Sequence, residues 1–536
     1  MMTVGIAGTG PAVESVITAV EDMSADAVRL EAGDLAQADV AVDVRPVGES
    51  AGADRPTGAE TPLVVVGLGG VGGRAVGGVD AAVSGHAPGT ACYDCLRRRV
   101  EAVRAETGGA DAGSATARFA GAIAGRELAT LVAGGESPLL GGVIEVPHAS
   151  RRVLPAPYCD CATGEDRNLR TDDGGRSLEA TLASAETAFD ERLGPVTEVG
   201  EAESFPAPYY LATLASTPFS AADPPDHAAG VGADWDPAFM KALGEALERY
   251  SAAVYRDSTF RSDPSAPVDP ARFVAPGEPP AVGSVDAWHD ARRLGTGETV
   301  QLPAELVVFP PPERRIQRDA AMLSWYSTYE PVGLAVDDEA FEALAARAGS
   351  EGLSVTALSL TQDVDVPVVA VCVHREGEWP RFAVGSAASL DPRGAARGAL
   401  EEAVQNWLEL RRMGPDQAAE ESGAIGRYAA FPEAAREFVT PATTVPAATI
   451  GPGSVPEGRA ELDVLLDRLE AAGLEAYGAR LTPRDVESLG FEAVRVVVPR
   501  AQPLFTDEAY FGERARTVPE TFGYEPRLDR EHHPYP

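Results

Sequence analysis

Two spacings of apolar residues alternate along this chain. Thr3 to Ala7 is a short continuous apolar run, Gly8-Thr9-Gly10-Pro11 interrupts it, and Val13 to Val20 then repeats apolar residues at helical intervals. That order predicts a strand, a glycine turn and a helix. Further apolar runs at Asp39–Val44, Val143–Val146, Tyr209–Ala215, Ala304–Phe309, Leu353–Leu360 and Val366–Val373 read as strands, and Pro62–Gly73 as a strand running into a second glycine-rich turn. Helical periodicity marks Ser177–Leu193, Met240–Tyr250, Asp338–Ala348 and Pro392–Arg412. Strands and helices in alternation predict an α/β chain. Polar or proline-rich stretches at 48–61, 162–205 and 257–283 read as surface connections, the second enclosing the Ser177 helix.

The helix Met240–Tyr250, MKALGEALERY, carries Ala242, Leu243, Ala246 and Leu247 as an apolar stripe. Glu245 and Glu248 stand one turn apart, so they share a face at its border. Two converging carboxylates beside Arg249 can form a shelf for a divalent cation and a polyphosphate, since carboxylates are hard oxygen ligands. An ordinary amphipathic surface helix has the same pattern.

Composition narrows the choice of partners. Among 536 residues, 82 acids against 45 bases leave a net charge of −37, and Lys241 is the only lysine. This composition argues against non-specific nucleic-acid binding, which needs clustered Lys and Arg, and no nucleic-acid partner is expected. The acidic, lysine-poor surface suits high salt, where screening limits self-repulsion. No apolar run reaches the ~20 residues of a membrane helix, and the N-terminus lacks a signal-peptide pattern. The expected location is the cytoplasm.

Five cysteines in a large cytosolic chain favour metal or redox chemistry over disulfides. Cys92-Tyr-Asp-Cys95 and Cys159-Asp-Cys161 form two close pairs, and four thiolates with no open position predict a structural zinc site. A redox role for Cys92–Cys95 alone does not need the second pair. Cys372, inside Val368–Val373, reads as a core residue. The glycine turn at Gly8 lacks a ribose-binding acid at the required distance, so a dinucleotide is not expected there. Gly67, Gly69, Gly70 and Gly72 resemble the nucleotide loop of E1-like adenylating enzymes, but Arg74–Gly89 is broken by glycines and Pro88, and no helix is expected after it.

The pieces in order resemble one family. Gly230-Val-Gly232 with Lys241-Ala-Leu-Gly-Glu245-Ala-Leu-Glu248-Arg249-Tyr250 looks like the first nucleotide-binding segment of YcaO-domain proteins. Thr361-Gln-Asp363, Gly385 with Asp391-Pro392, Ala399-Leu-Glu-Glu402-Ala-Val-Gln405 and the ending Pro534-Tyr-Pro536 match later parts. Pro88-Gly-Thr-Ala-Cys92-Tyr-Asp-Cys95-Leu96 is similar to the zinc-binding, E1-like region of azoline-forming cyclodehydratases. The resemblance implies an α/β chain with an E1-like (Rossmann-type) zinc-binding region at 1–165, a linker at 166–205 and a YcaO-type α+β domain at 206–536. It implies an ATP-dependent cyclodehydratase that closes Cys, Ser or Thr of a ribosomally made peptide into azolines. Mg2+ and ATP would be held by Glu245, Glu248, Arg249, Glu402 and Gln405, structural Zn2+ by the four paired cysteines, and the Pro536 carboxylate would align the peptide.

The peptide substrate is the implied partner. No winged-helix peptide clamp is evident, which leaves room for a separate leader-recognition protein and for a homodimer. Where the resemblance implies a second acidic helix, Phe309-Pro-Pro-Pro312 and Glu313-Arg-Arg-Ile316 run directly into Gln317-Arg318-Asp319. The alternative reading is therefore a catalytically impaired peptide-binding scaffold. An E1-like adenylating enzyme built on Gly67–Gly72 is a third, requiring a helix and arginine that the sequence does not supply.

Overall fold

The computed structural model describes residues 2–48, 60–103, 112–147, 149–161, 168–171, 175–308, 316–420 and 423–536. The shortened stretch that motivated the scaffold reading, 309–315, lies outside the described residues.

The first half is built on a seven-stranded sheet. Its order is Ala25–Arg29, Met2–Ala7, Val40–Pro46, Leu63–Leu68, Ala81–His86, Gly142–Val146 and Ala149–Arg152. The first four strands run parallel and the rest antiparallel. Leu63 to Val66 are all buried, as a central strand covered on both faces requires. On one face, Val13, Val16 and Val20 of the helix Pro11–Glu21 pack beside Ala117, Ala120, Ala124 and Leu128 of the helix Ser114–Val132. The other face is covered by the short helix Tyr93–Ala102 and the cysteine-bearing segment around Cys159. After Leu68 the chain turns through Gly69–Asp80 straight into the antiparallel strand Ala81–His86. No helix follows the glycine run, in agreement with the sequence reading.

The stretch expected as a linker holds a helix at Leu178–Glu186, where the Ser177 hydroxyl accepts from the Ala180 N–H. It also holds a strand, Val196–Glu203, absent from the sequence reading because its polar residues hide the pairing. That strand joins Tyr209–Leu214 and His227–Val231 in an antiparallel sheet. The helix Trp235–Ala253 packs on this sheet through Ala242, Leu243, Ala246 and Leu247, the stripe expected to be buried.

A third sheet, of five strands, orders Phe382–Ala388, Val368–His374, Ser354–Ser359, Val332–Ala335 and Thr444–Pro446. In its strand Val368–His374, Val369, Val371 and Val373 face the helix Pro392–Ala418. Val368, Ala370 and Cys372 face Trp325, Tyr428 and Tyr535 on the opposite side. Alternation across a sheet covered on both faces explains the unbroken apolar run. Cys372 is a fully buried core residue, as expected. A fourth sheet combines Thr299–Pro303, Trp288–Arg293, Tyr477–Arg480 and Val494–Val497. The strand expected at Ala304–Phe309 lies upstream instead, because the hairpin pairing of Trp288 with Pro303 and Arg292 with Thr299 fixes its position. Ala304–Leu306 is a single 3-10 turn. No described helix is long and apolar enough to cross a membrane.

Candidate functional site

Two strand–helix pairs meet at an acidic cleft. Gly230, on the strand His227–Val231, lies so close to the helix Trp235–Ala253 that a Cβ there would sit 2.3 Å from the Ala242 nitrogen. Gly385 plays the same part in the five-stranded sheet, where a Cβ would sit 2.4 Å from the Ala399 carbonyl of the helix Pro392–Ala418. Only glycine permits such approaches. The two helices thereby bring Glu245, Glu248, Glu401, Glu402 and Gln405 around a cleft of about 280 Å³ that Lys241, Gly398 and the strand residues Ala229–Val231 also line.

Protein donors already hold several of these acids. Glu245 accepts from the Ala229 N–H at 3.2 Å and from Arg249 Nη2 at 2.5 Å, while Arg249 Nη1 donates to the His227 carbonyl at 2.7 Å. Glu402 accepts from the Ser386 N–H at 2.6 Å. Glu401 accepts from the Ala233 N–H at 3.2 Å and is ion-paired with Lys241 across the cleft. Arg495 lies 3.9 Å from Glu248. Gln405 donates its Nε2 to Glu409 at 3.1 Å, so its carbonyl oxygen is the amide atom left for the cleft. Burial lifts the Glu409 carboxyl above the usual range. Four carboxylates facing one ammonium make the cleft a receptor for cations, and for polyphosphate only together with cations.

The structure thus brings together Glu245, Glu248, Glu402 and Gln405, and sets Arg249 behind Glu245. It does not bring Pro536 into the lining of this cleft. The Pro536 main-chain oxygen accepts from Arg318 Nη1 at 3.1 Å, and Tyr535 is buried against Phe438 and His533. Sequence reasoning missed Glu401, Glu409 and the cleft position of Lys241. The solitary lysine in an arginine chain was the one signal available.

The four paired cysteines converge elsewhere, with all ligand atoms within 4.8 Å of one another. Cys92 caps the N-terminus of the helix Tyr93–Ala102, and Cys95 lies in its first turn. Sulfur separations are 3.7 Å for Cys92–Cys95, 3.4 Å for Cys92–Cys159 and 3.6 Å for Cys95–Cys161. A tetrahedral zinc with ordinary Zn–S bonds places its sulfurs roughly 3.8 Å apart, so the donors and their spacing fit that metal. Hydrogen bonds from Cys159, Cys92 and Cys95, with Arg484 adding, hold the Cys161 thiol far below its usual range. Arg484 also donates to the Cys159 carbonyl at 3.2 Å.

Set beside known proteins, the whole chain has the fold of a heterocyclase. It superposes on a heterocyclase solved in complex with substrate and cofactor with a TM-score of 0.74 at 17% identity, covering 100% of this chain and 85% of that one. The heterocyclase TruD follows at 0.66 and 16%, covering 100% and 84%. Residues 314–502 match the YcaO cyclodehydratase family, described as ATP- and Mg2+-binding. The chain carries a YcaO cyclodehydratase domain and is an enzyme of the ATP-dependent cyclodehydratase class. Glu402 and Gln405 lie inside the matched stretch, whereas Glu245 and Glu248 precede it. No curated protein matches the sequence.

Proposed function

We propose that this chain activates backbone amides of a ribosomally made peptide and closes Cys, Ser or Thr side chains into azolines. The observation that carries this is the convergence of Glu245, Glu248, Glu401 and Glu402 from two helices on one cleft. A non-catalytic scaffold does not require carboxylates gathered from both walls, at a cost in mutual repulsion. In the reaction, the substrate's thiol or hydroxyl attacks the preceding carbonyl carbon. The nucleophile gives up its proton, the former carbonyl oxygen takes a phosphoryl group from ATP with release of ADP, and it then leaves as phosphate while the amide nitrogen loses its proton and the ring C=N forms. Mg2+–ATP, when bound, supplies the phosphoryl group that makes this oxygen a leaving group.

The protein's work in phosphoryl transfer is positioning and charge neutralisation. Glu245, Glu248 and Glu402 serve as oxygen ligands, and the Gln405 carbonyl adds a neutral acceptor. Arg249 fixes the Glu245 carboxylate from behind. Pro536, tethered by Arg318, is assigned to aligning the peptide. The cysteine centre takes Zn2+ as a structural ion, in an E1-like region at 1–165 joined through 166–205 to a YcaO domain at 206–536. A separate leader-recognition protein would deliver the peptide.

The test is nucleotide binding and phosphate release by the purified protein in Mg2+ and high salt. Binding that is lost in Glu245→Ala with Glu248→Ala supports the assignment. No binding by the unaltered chain, or binding indifferent to the double substitution, overturns it.

A further inference from the structure

Half a turn after Glu248, the helix that carries Glu245 and Glu248 makes a buried contact with the cysteine region. Tyr250 is fully buried, and its hydroxyl donates to Asp485 Oδ2 at 2.6 Å while accepting from Arg99 Nη1 at 3.0 Å. Arg99 Nη2 donates to the Pro155 carbonyl at 3.2 Å and closes the triangle with an ion pair to Asp485. Arg99 and Asp485 are 1% and 0% exposed. Each corner comes from a distant stretch. Arg99 lies one helical turn after Cys95 on the helix Tyr93–Ala102, Tyr250 belongs to the acidic helix, and Asp485 to the short helix Arg484–Ser488.

Asp485 is next to Arg484, whose two terminal nitrogens both stand 3.9 Å from Cys161 Sγ. The dipeptide Arg484–Asp485 therefore has one side chain on the sulfurs and the other on Tyr250. Arg99 repeats this on the opposite side, since the helix that starts on Cys92 and Cys95 reaches Tyr250 directly. A divalent ion bound by four thiolates leaves a centre of net negative charge, which a guanidinium binds strongly. Without the ion, the segments carrying Cys92–Cys95 and Cys159–Cys161 are no longer tied together, and the Arg99 and Arg484 contacts that lean on them loosen.

We infer that the four-cysteine metal centre sets the position of the acidic helix, with Arg99, Arg484 and Asp485 as positioning residues that act through Tyr250. The inference rests on the reading of Glu245 and Glu248 as the Mg2+–ATP shelf. A metal in the E1-like region thus controls how well the cleft holds nucleotide, although no cysteine lines that cleft.

Hydrogen exchange on the full-length protein tests this, comparing metal-loaded with chelator-treated samples. Peptides within 235–253 are expected to exchange at least tenfold faster after metal loss, while peptides of the central strand 368–374 stay protected. Tyr250→Phe removes only the hydroxyl. That variant is expected to keep its full metal content and to lose the response of 235–253. Arg484→Lys, which retains a cation, restores part of the response that Arg484→Met abolishes. Mg2+–ATP affinity is expected to fall about tenfold on chelation of the unaltered chain and to be insensitive to chelation in Tyr250→Phe. Unchanged exchange of 235–253 on metal loss overturns the inference. Equal loss of protection in 235–253 and 368–374 overturns it too, because the metal then acts as a general staple. If the loaded protein binds no nucleotide, the shelf reading fails, whereas the exchange data still decide whether helix and metal centre are coupled.

Discussion

The cysteine centre and the acidic cleft are both clusters of four anionic ligands, yet they are built in opposite ways. The cysteines come as two pairs from short segments, sit at sulfur–sulfur contact, and have Arg484 at their flank. The carboxylates come from two helices about 150 residues apart in sequence and open to solvent. Before any ligand arrives they are partly satisfied by Lys241, Arg249 and backbone N–H groups. A closed, preformed set suits an ion that stays. An open set with exchangeable protein partners suits ligands that come and go, because the protein donors hold the acids in place between turnovers.

The largest effect should come from the closed site. Structural zinc contributes about 10–16 kcal/mol to folding of small zinc modules, so Cys159→Ala should reduce metal content to well below one ion per chain and melt the first half early. Elemental analysis and a thermal scan check this, and full metal content in the variant would contradict the four-cysteine set. Next comes the link between the sites. Asp485→Asn leaves the Arg99 charge buried without its anion, which costs about 3–5 kcal/mol, visible as a lower denaturation midpoint. A shift under 1 kcal/mol would mean that the triangle contributes little.

The C-terminal tail closes by burial instead of charge, and it sharpens the contrast. His533 is 1% exposed, and its Nε2–H donates to the Phe505 carbonyl at 2.7 Å. Burial pushes its pKa down to about 4. A depressed folded-state value means that this stabilisation is complete above the unfolded value near 6.5 and fades as pH falls toward 4. At 1.36 kcal/mol per unit, the full loss is roughly 3 kcal/mol. The difference in stability between the unaltered chain and His533→Asn should therefore shrink over that window. A constant difference would show that His533 titrates normally.

In the open site, Glu245→Ala with Glu248→Ala should weaken Mg2+–ATP binding about 100-fold, or about 2.7 kcal/mol, with little change in melting temperature. Calorimetric titration measures both. The smallest effect belongs to Lys241→Met. A half-exposed ion pair is worth up to about 1 kcal/mol, so stability should barely move, while free Mg2+ should bind a few-fold tighter once the competing ammonium is gone. Weaker Mg2+ binding would place Lys241 outside the field of the carboxylates.

The same contrast governs what the sequence discloses. Cysteines are rare, and two close pairs declare themselves through spacing alone, so the convergence of the four thiols was legible in the sequence. The Glu245–Glu248 helix was legible because a turn of helix fixes both acids on one face. Glu401 and Glu409 were not, since their relevance depends on which face of the helix Pro392–Ala418 meets the other wall. Strand Val196–Glu203 was hidden by its polar residues, and the strand before Ala304 was displaced by its hairpin partner. The tail was recognised by its prolines, but its docking on Arg318 depends on a contact 218 residues away in sequence.

The lone lysine also has a practical side. Besides the α-amino group, Lys241 is the only primary amine in the chain, and its side chain is 46% exposed at the mouth of the cleft. An acylating dye would therefore label one internal position without any engineered cysteine. The chain carries its own attachment point for a fluorophore, so occupancy of the cleft becomes an optical signal in the unmodified sequence.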